Sequence, residues 1–137
     1  MNMFVDSSAF YASVDKGDTF HTRARRSLGA DDRLVTTDHV LAETWSLIHH
    51  RLGWGVAEGF WAGIRSGIAR VELVGPADME VAWSIGESFG DQDFSLVDRT
   101  SFAVMRRLGV HRVASFDSDF AIYRFGPRRE RAFEVIG

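Results

Sequence analysis

Met3-Phe4-Val5-Asp6-Ser7-Ser8-Ala9-Phe10 is a short apolar run that stops at a carboxylate and two serines. Consecutive apolar residues of this kind read as a buried strand, and Ser7 or Ser8 offers the N-cap of a following helix. A parallel α/β sheet places its ligands beyond the carboxyl ends of its strands, so Asp6 stands where chemistry is done. An aspartate at a strand–helix junction also serves as a plain cap. The other carboxylates of the chain bear on that choice.

Working outward, the pattern predicts a helix from Ser8 to Val14, ended by Lys16-Gly17-Asp18. Asp18 or Thr19 caps a second helix that runs to about Leu28, with Gly29 as its stop. Leu34-Val35-Thr36 reads as a strand, and Thr37 caps a longer helix. Leu41, Trp45, Ile48 and Leu52 recur along that helix as one buried stripe, and Gly53 ends it. A helix over Gly55 to Ser66 follows, with Ala57, Phe60 or Trp61, Ile64 and Ile68 on one face. Then come a strand at Val71–Val74, a helix over Asp78–Phe89, a polar turn at 90–93 and a helix over Ser95–Leu108. Strands at Val113–Phe116 and Phe133–Ile136 complete the pattern. Strands separated by helices imply an α/β fold, a three-layer sandwich whose mainly parallel central sheet is flanked by helices. Residues 1–137 read as a single domain.

Composition narrows the function. Hydrophobic residues make up 45% and charged residues 26% of the chain, an ordinary globular balance. With no cysteine there is neither a disulfide framework nor a thiolate zinc site, which fits a reducing, cytoplasmic setting. Asp6 interrupts the first apolar run, so that run is no signal-peptide core, and no stretch suffices for a membrane span. The formal charge of −3 does not advertise a nucleic-acid binder. Its distribution says more, because the basic residues are arginines except Lys16 and they cluster at Arg23, Arg25 and Arg26, at Arg106, Arg107 and Arg112, and at Arg124, Arg128, Arg129 and Arg131.

Each remaining acid has a structural and a chemical reading. Glu43 borders the apolar side of its helix, where it is either a partly exposed edge residue or a group in need of a partner or metal. Asp98 follows Ser95 by three residues, a capping-box spacing in which an acid also answers the helix dipole. Asp117 and Asp119 follow a strand, where turn aspartates are common. In a parallel sheet, however, Asp6, Glu43, Asp98 and Asp117 converge on one rim. Clustered carboxylates raise one another's pKa, and bound Mg²⁺ or Mn²⁺ removes that cost. Such ions activate water and steady an in-line attack on phosphorus. The pattern points to phosphodiester chemistry.

At these residues the chain resembles the PIN-domain ribonucleases, and among them the VapC class of toxins from toxin–antitoxin pairs. The resemblance rests on Val5-Asp6-Ser7-Ser8-Ala9, Val40-Leu41-Ala42-Glu43, Phe94-Ser95-Leu96-Val97-Asp98 and Ser115-Phe116-Asp117-Ser118-Asp119-Phe120. It covers nearly the whole chain, in the family's order. It implies a Mg²⁺- or Mn²⁺-dependent endoribonuclease with Asp6, Glu43, Asp98 and Asp117 as metal-binding acids. Asp119 is implied as an accessory and Ser115 as a hydrogen-bonding residue of the site, with Asp117 and Asp119 open to exchange. An RNA substrate, a homodimer and a cognate antitoxin that plugs the acidic groove are implied as well, with no membrane partner.

Weaker signals surround these. Arg128, Arg129 and Arg131 suit RNA phosphates or a solvated terminal face. Trp54, Trp61 and Trp83 fit core positions at helical spacing better than base-stacking ones. His49-His50 answers a helix dipole, and no zinc pattern is present. Two other functions compete: phosphoryl transfer through an aspartyl phosphate on Asp6, and a non-catalytic acidic binding module. Dehalogenase-like phosphatases want a second Asp where this chain has Ser8, and response-regulator receivers want a strand-end lysine.

Overall fold

Burial along the first strand sets the architecture: Met3, Phe4 and Val5 are all but inaccessible to solvent, as expected of a strand covered on both faces. The computed structural model describes residues 1–30 and 32–137. In chain order the elements are β1 (Asn2–Val5), α1 (Ser7–Val14), α2 (His21–Leu28), β2 (Arg33–Thr37), α3 (Asp38–Leu52) and α4 (Trp54–Arg65). They continue with β3 (Arg70–Glu72), α5 (Pro76–Ser88), α6 (Leu96–Leu108), β4 (Arg112–Ala114), α7 (Asp119–Ile122) and β5 (Glu134–Ile136).

The five strands form one sheet in the order β3-β2-β1-β4-β5, and every pairing is parallel. The chain winds outward from β1 through β2 to β3, then returns to the other side of β1 for β4 and β5. That reversal lies between β1 and β4, where Val5 pairs with Ala114 and the Asp6 amide donates to the Ala114 carbonyl at 3.1 Å. In an open α/β sheet the crevice at such a reversal is the usual ligand site. Asp6 and Ser115 are the first residues beyond the two strands that form it.

Local chemistry explains most element ends. Thr37 caps α3 by accepting a 3.1 Å hydrogen bond from the Val40 amide, and Ser95 caps α6 by accepting one of 3.1 Å from Asp98. Gly53 and Gly109 end α3 and α6 at φ 95° and 67°, the left-handed region that favours glycine. Pro76 opens α5, two residues earlier than the sequence pattern suggests, and Asp78 accepts from the Gly75 amide at 2.9 Å. α2 begins at His21 with no side-chain cap, while Asp18 closes the preceding turn by accepting from the Phe20 amide. β3 and β4 end two residues short of their expected limits. Ser115 and Phe116 turn instead into the crevice segment that leads to α7, a short helix the pattern did not suggest.

The helix stripes are narrower than expected. Along α3 the buried positions are Val40, Thr44 and Ile48, while Leu41, Trp45 and Leu52 are half-buried. On α4, Ala57 and Ile64 are buried with Phe60 half-buried beside them, while Ile68 lies beyond the end of the helix and is exposed. Trp54, Trp61 and Trp83 are not core residues; they are 64%, 45% and 66% exposed. α4 packs on α3 and α5 on α6, each with one face only, so apolar residues on their other faces remain in water. The central core is aromatic. Phe102 of α6 stacks on Tyr123 at 4.3 Å and meets Phe94 and Phe120 edge-on.

Thr37→Val keeps the volume of a fully buried side chain while deleting the α3 cap. It should lower stability by about 1 kcal/mol in a urea titration with unchanged slope. A midpoint equal to that of the parent would show that the cap contributes nothing.

Candidate metal centre

Asp6 occupies the N-cap position of α1, but its side chain makes no capping bond. The carboxylate turns into the crevice and is buried there. Two hydroxyls hold it: Ser8 and Ser115 each donate to Oδ2 at 3.0 Å, while the Ser7 hydroxyl lies 3.4 Å from Oδ1. The serines that read as helix caps are thus ligands of a carboxylate. Ser7 also donates to Glu43 Oε1 at 2.6 Å, tying the half-buried acid of α3 to the end of β1. Ser115 accepts from the Asp117 amide at 3.0 Å, and Ser8 accepts from the Phe116 amide at 2.9 Å. Asp117 in turn accepts from the Asp119 amide at 2.9 Å, which fixes the start of α7.

Asp98 enters from α6. Its amide is used in the Ser95 cap, while its buried carboxyl faces the other acids. Asp98, Asp117 and Asp119 each place a carboxylate oxygen within 4.8 Å of the other two. Asp6 and Glu43 lie outside that trio. Asp6 adjoins it electrostatically, and Glu43 is linked through Ser7. Asp119 therefore stands with Asp98 and Asp117 in the trio itself, a closer place than an accessory role suggests.

The electrostatics record the crowding. Burial pushes the Asp6 carboxyl above its ordinary value, hydrogen bonds from the Ser115 hydroxyl, the Ser7 backbone and the Ser8 hydroxyl pull it back, and the Asp117 charge raises it again. Asp98 is pushed up to about 8, first by burial, then by its hydrogen bond with Asp119 and the charges of Asp6, Asp117 and Asp119. A donor set made only of carboxylate oxygens, some of them protonated to relieve repulsion, fits a hard divalent cation. Arg128, Arg129 and Arg131 are not brought to these acids. Arg129 packs over Phe89, and Arg131 lines a cleft with Arg106 and Arg107 near the far end of α6.

Sequence reasoning passed over Ser7 and Ser8 as site residues. The signal was present, since paired hydroxyls directly after a buried strand-end acid can satisfy it as readily as they can cap a helix.

The PIN-domain family model matches residues 3–126. The chain is a PIN domain of the VapC class. Two relatives in Mycobacterium tuberculosis strains CDC 1551 / Oshkosh and H37Rv, each named 23S rRNA-specific endonuclease VapC20, are 38% identical over 124 residues. The match spans 90% of this chain and 95% of each relative. The crystal structure of M. tuberculosis VapC20, described as a Sarcin-Ricin loop cleaving toxin, superposes with a TM-score of 0.81 at 37% identity. That similarity covers 88% of this chain and 93% of the solved one. This PIN domain therefore shares its fold and extent with a named toxin, and an acidic centre is at its strand-order reversal.

Raised carboxyl pKa values have a defined consequence for the metal-free protein. With the folded values above 3.8 for Asp6 and Asp98, the native state binds more protons than the unfolded chain. Their contribution to stability is full below about pH 4 and is lost as pH rises towards 8. Melts in EDTA should show Asp98→Asn gaining on the parent as pH rises from 4 to 8. A parent advantage that widens over that range would contradict the crowded-acid reading.

Proposed function

We propose that this chain is a metal-dependent endoribonuclease, the toxin of a toxin–antitoxin pair, with Asp6, Glu43, Asp98, Asp117 and Asp119 as its working acids. The observation that carries the reading is the carboxylate trio in the β1/β4 crevice of a PIN domain. Mg²⁺ or Mn²⁺ is the proposed ion, because all the donors are hard oxygens. Asp98, Asp117 and Asp119 would hold it, with Asp6 beside them and Glu43 poised through Ser7. Bound there, such a cation supplies charge stabilisation at the phosphate and lowers the pKa of water.

The chain's own residues do the rest. Ser115 and Ser8 orient Asp6 so that Oδ2 is satisfied and the acid stays fixed. Ser115 also fixes the Asp117 backbone, so one hydroxyl aligns two acids. Glu43 accepts from Ser7 at 2.6 Å and is only half-buried, which leaves it in reach of substrate at the mouth of the crevice. The names of the relatives supply the substrate class: we take ribosomal RNA, and a sarcin–ricin-type loop in particular, as the candidate target. A cognate antitoxin that covers the acidic crevice, a homodimer and action in the cytoplasm complete the proposal.

The test is cleavage of a sarcin–ricin loop hairpin by purified protein. Cleavage should need Mg²⁺ or Mn²⁺, stop in EDTA and fall to the EDTA level in Asp6→Asn. Ser115→Ala, which removes an orienting hydroxyl and spares every carboxylate, should lose roughly 10- to 100-fold. Undiminished cleavage in EDTA or by Asp6→Asn would defeat the proposal.

A further inference from the structure

A second feature lies at the other end of α6. Arg106 and two arginines of the segment after α7, Arg124 and Arg129, line one open cleft of about 340 Å³ against α5. No carboxylate lines it, and among the described residues none of the three arginines forms an ion pair. In a chain of net charge −3 this is a local concentration of unneutralised positive charge.

The cleft is organised rather than incidental. The Arg129 guanidinium lies 4.3 Å over the Phe89 ring and donates to the Ser88 carbonyl at 3.1 Å. Arg129 does so from φ 52°, a backbone conformation a non-glycine residue adopts only at a cost. Arg106 sits 5.7 Å over Phe125 and donates to Tyr123 Oη at 3.0 Å. Arg124 is held by backbone carbonyls, among them Tyr123 O at 3.1 Å. Each guanidinium spends part of its five-donor fork on the protein and keeps the rest. The nearest acid in sequence, Glu130, folds back on its own turn and accepts from the Arg128 amide at 2.8 Å. Aromatic shelves under Arg106 and Arg129, and backbone carbonyls at Arg124, thus hold three forks in place without discharging them, which is a geometry for oxyanions that accept two parallel hydrogen bonds.

We infer that the Arg106–Arg124–Arg129 cleft is a phosphate-binding exosite that grips the RNA backbone away from the scissile bond. The inference rests on the endoribonuclease reading and adds how the polyanion is held. RNA is favoured over an acidic protein by the charge layout of α6. Asp98 in its first turn belongs to a rim of carboxylates that repels a nucleic acid. Arg106 lies eight residues on, about 12 Å along the same helix. Beyond the proposed cation, a strand entering the crevice gains compensating charge from such a second foothold, and phosphate contacts supply most sequence-independent affinity.

The experiment uses the full chain carrying Asp6→Asn, so that binding is read without cleavage. The probe is a fluorescent sarcin–ricin loop hairpin titrated at several salt concentrations. Adding Arg124→Gln and Arg129→Gln should weaken binding roughly tenfold at low salt. The log–log salt dependence should flatten by about 0.7 to 1 for each phosphate no longer gripped. Arg124→Glu alone, at an exposed position, should weaken binding in the same direction with the melting temperature retained. In the cleaving parent the paired Gln changes should raise KM. Affinity and salt slope equal to those of the Asp6→Asn protein would overturn the exosite while leaving the nuclease reading intact. A parent that neither binds nor cleaves RNA would remove both. Variants that bind RNA normally but escape an inhibiting protein would assign the cleft to a protein partner and overturn the proposal.

Discussion

Asp6 is a carboxylate buried at the end of a strand that is itself buried on both faces, and an unpaired charge in that position is costly. The chain meets the cost with hydroxyls drawn from two sides of the crevice: Ser8 follows β1, and Ser115 follows β4. That arrangement needs β1 and β4 to be parallel neighbours, which the strand-order reversal provides. It also needs the segment after β4 to leave the sheet immediately. Ser115 can then donate to Asp6 and accept from Asp117, bringing a second acid in with the first. Packing, topology and site thus hang on one satisfied carboxylate.

The remaining acids are held by elements with reasons of their own to be there. Ser95 caps α6 through the Asp98 amide, which leaves the Asp98 carboxyl free to face Asp117 and Asp119. The capping and chemical readings of Asp98 are therefore not rivals: its backbone does one and its side chain the other. Glu43 is tied in by a single short hydrogen bond from Ser7. Repulsion within the group is answered by protonation in the metal-free protein and, in the proposed function, by a divalent ion. The same helix carries the opposite charge at its other end, so α6 spans from an acidic rim to the arginine cleft.

Much of this was legible in the chain. An apolar run broken by Asp6, and further acids after or near strands, follow directly from a parallel sheet, because such a sheet sends its loops to one rim. The ends marked by Thr37, Ser95, Gly53 and Gly109 were legible because capping is local. Trp54, Trp61 and Trp83 were misread because periodicity shows which residues share a face but not how wide a face the neighbouring helices cover. α7 escaped notice because it is four residues long and is set by the Asp117–Asp119 turn. The convergence of Arg106 with Arg124 and Arg129 was not legible, since it depends on how the segment after α7 folds back over α5 and α6.

The central claim is that these carboxylates form one crowded site whose repulsion a divalent ion relieves. Calorimetric titration of Mn²⁺ at pH 7, repeated in buffers of different ionisation enthalpy, counts the protons displaced on binding. With the Asp98 carboxyl pushed up to about 8, binding should release about one proton per ion, and Asp98→Asn should release far less. Binding without proton release, or equal release from both proteins, would contradict the account.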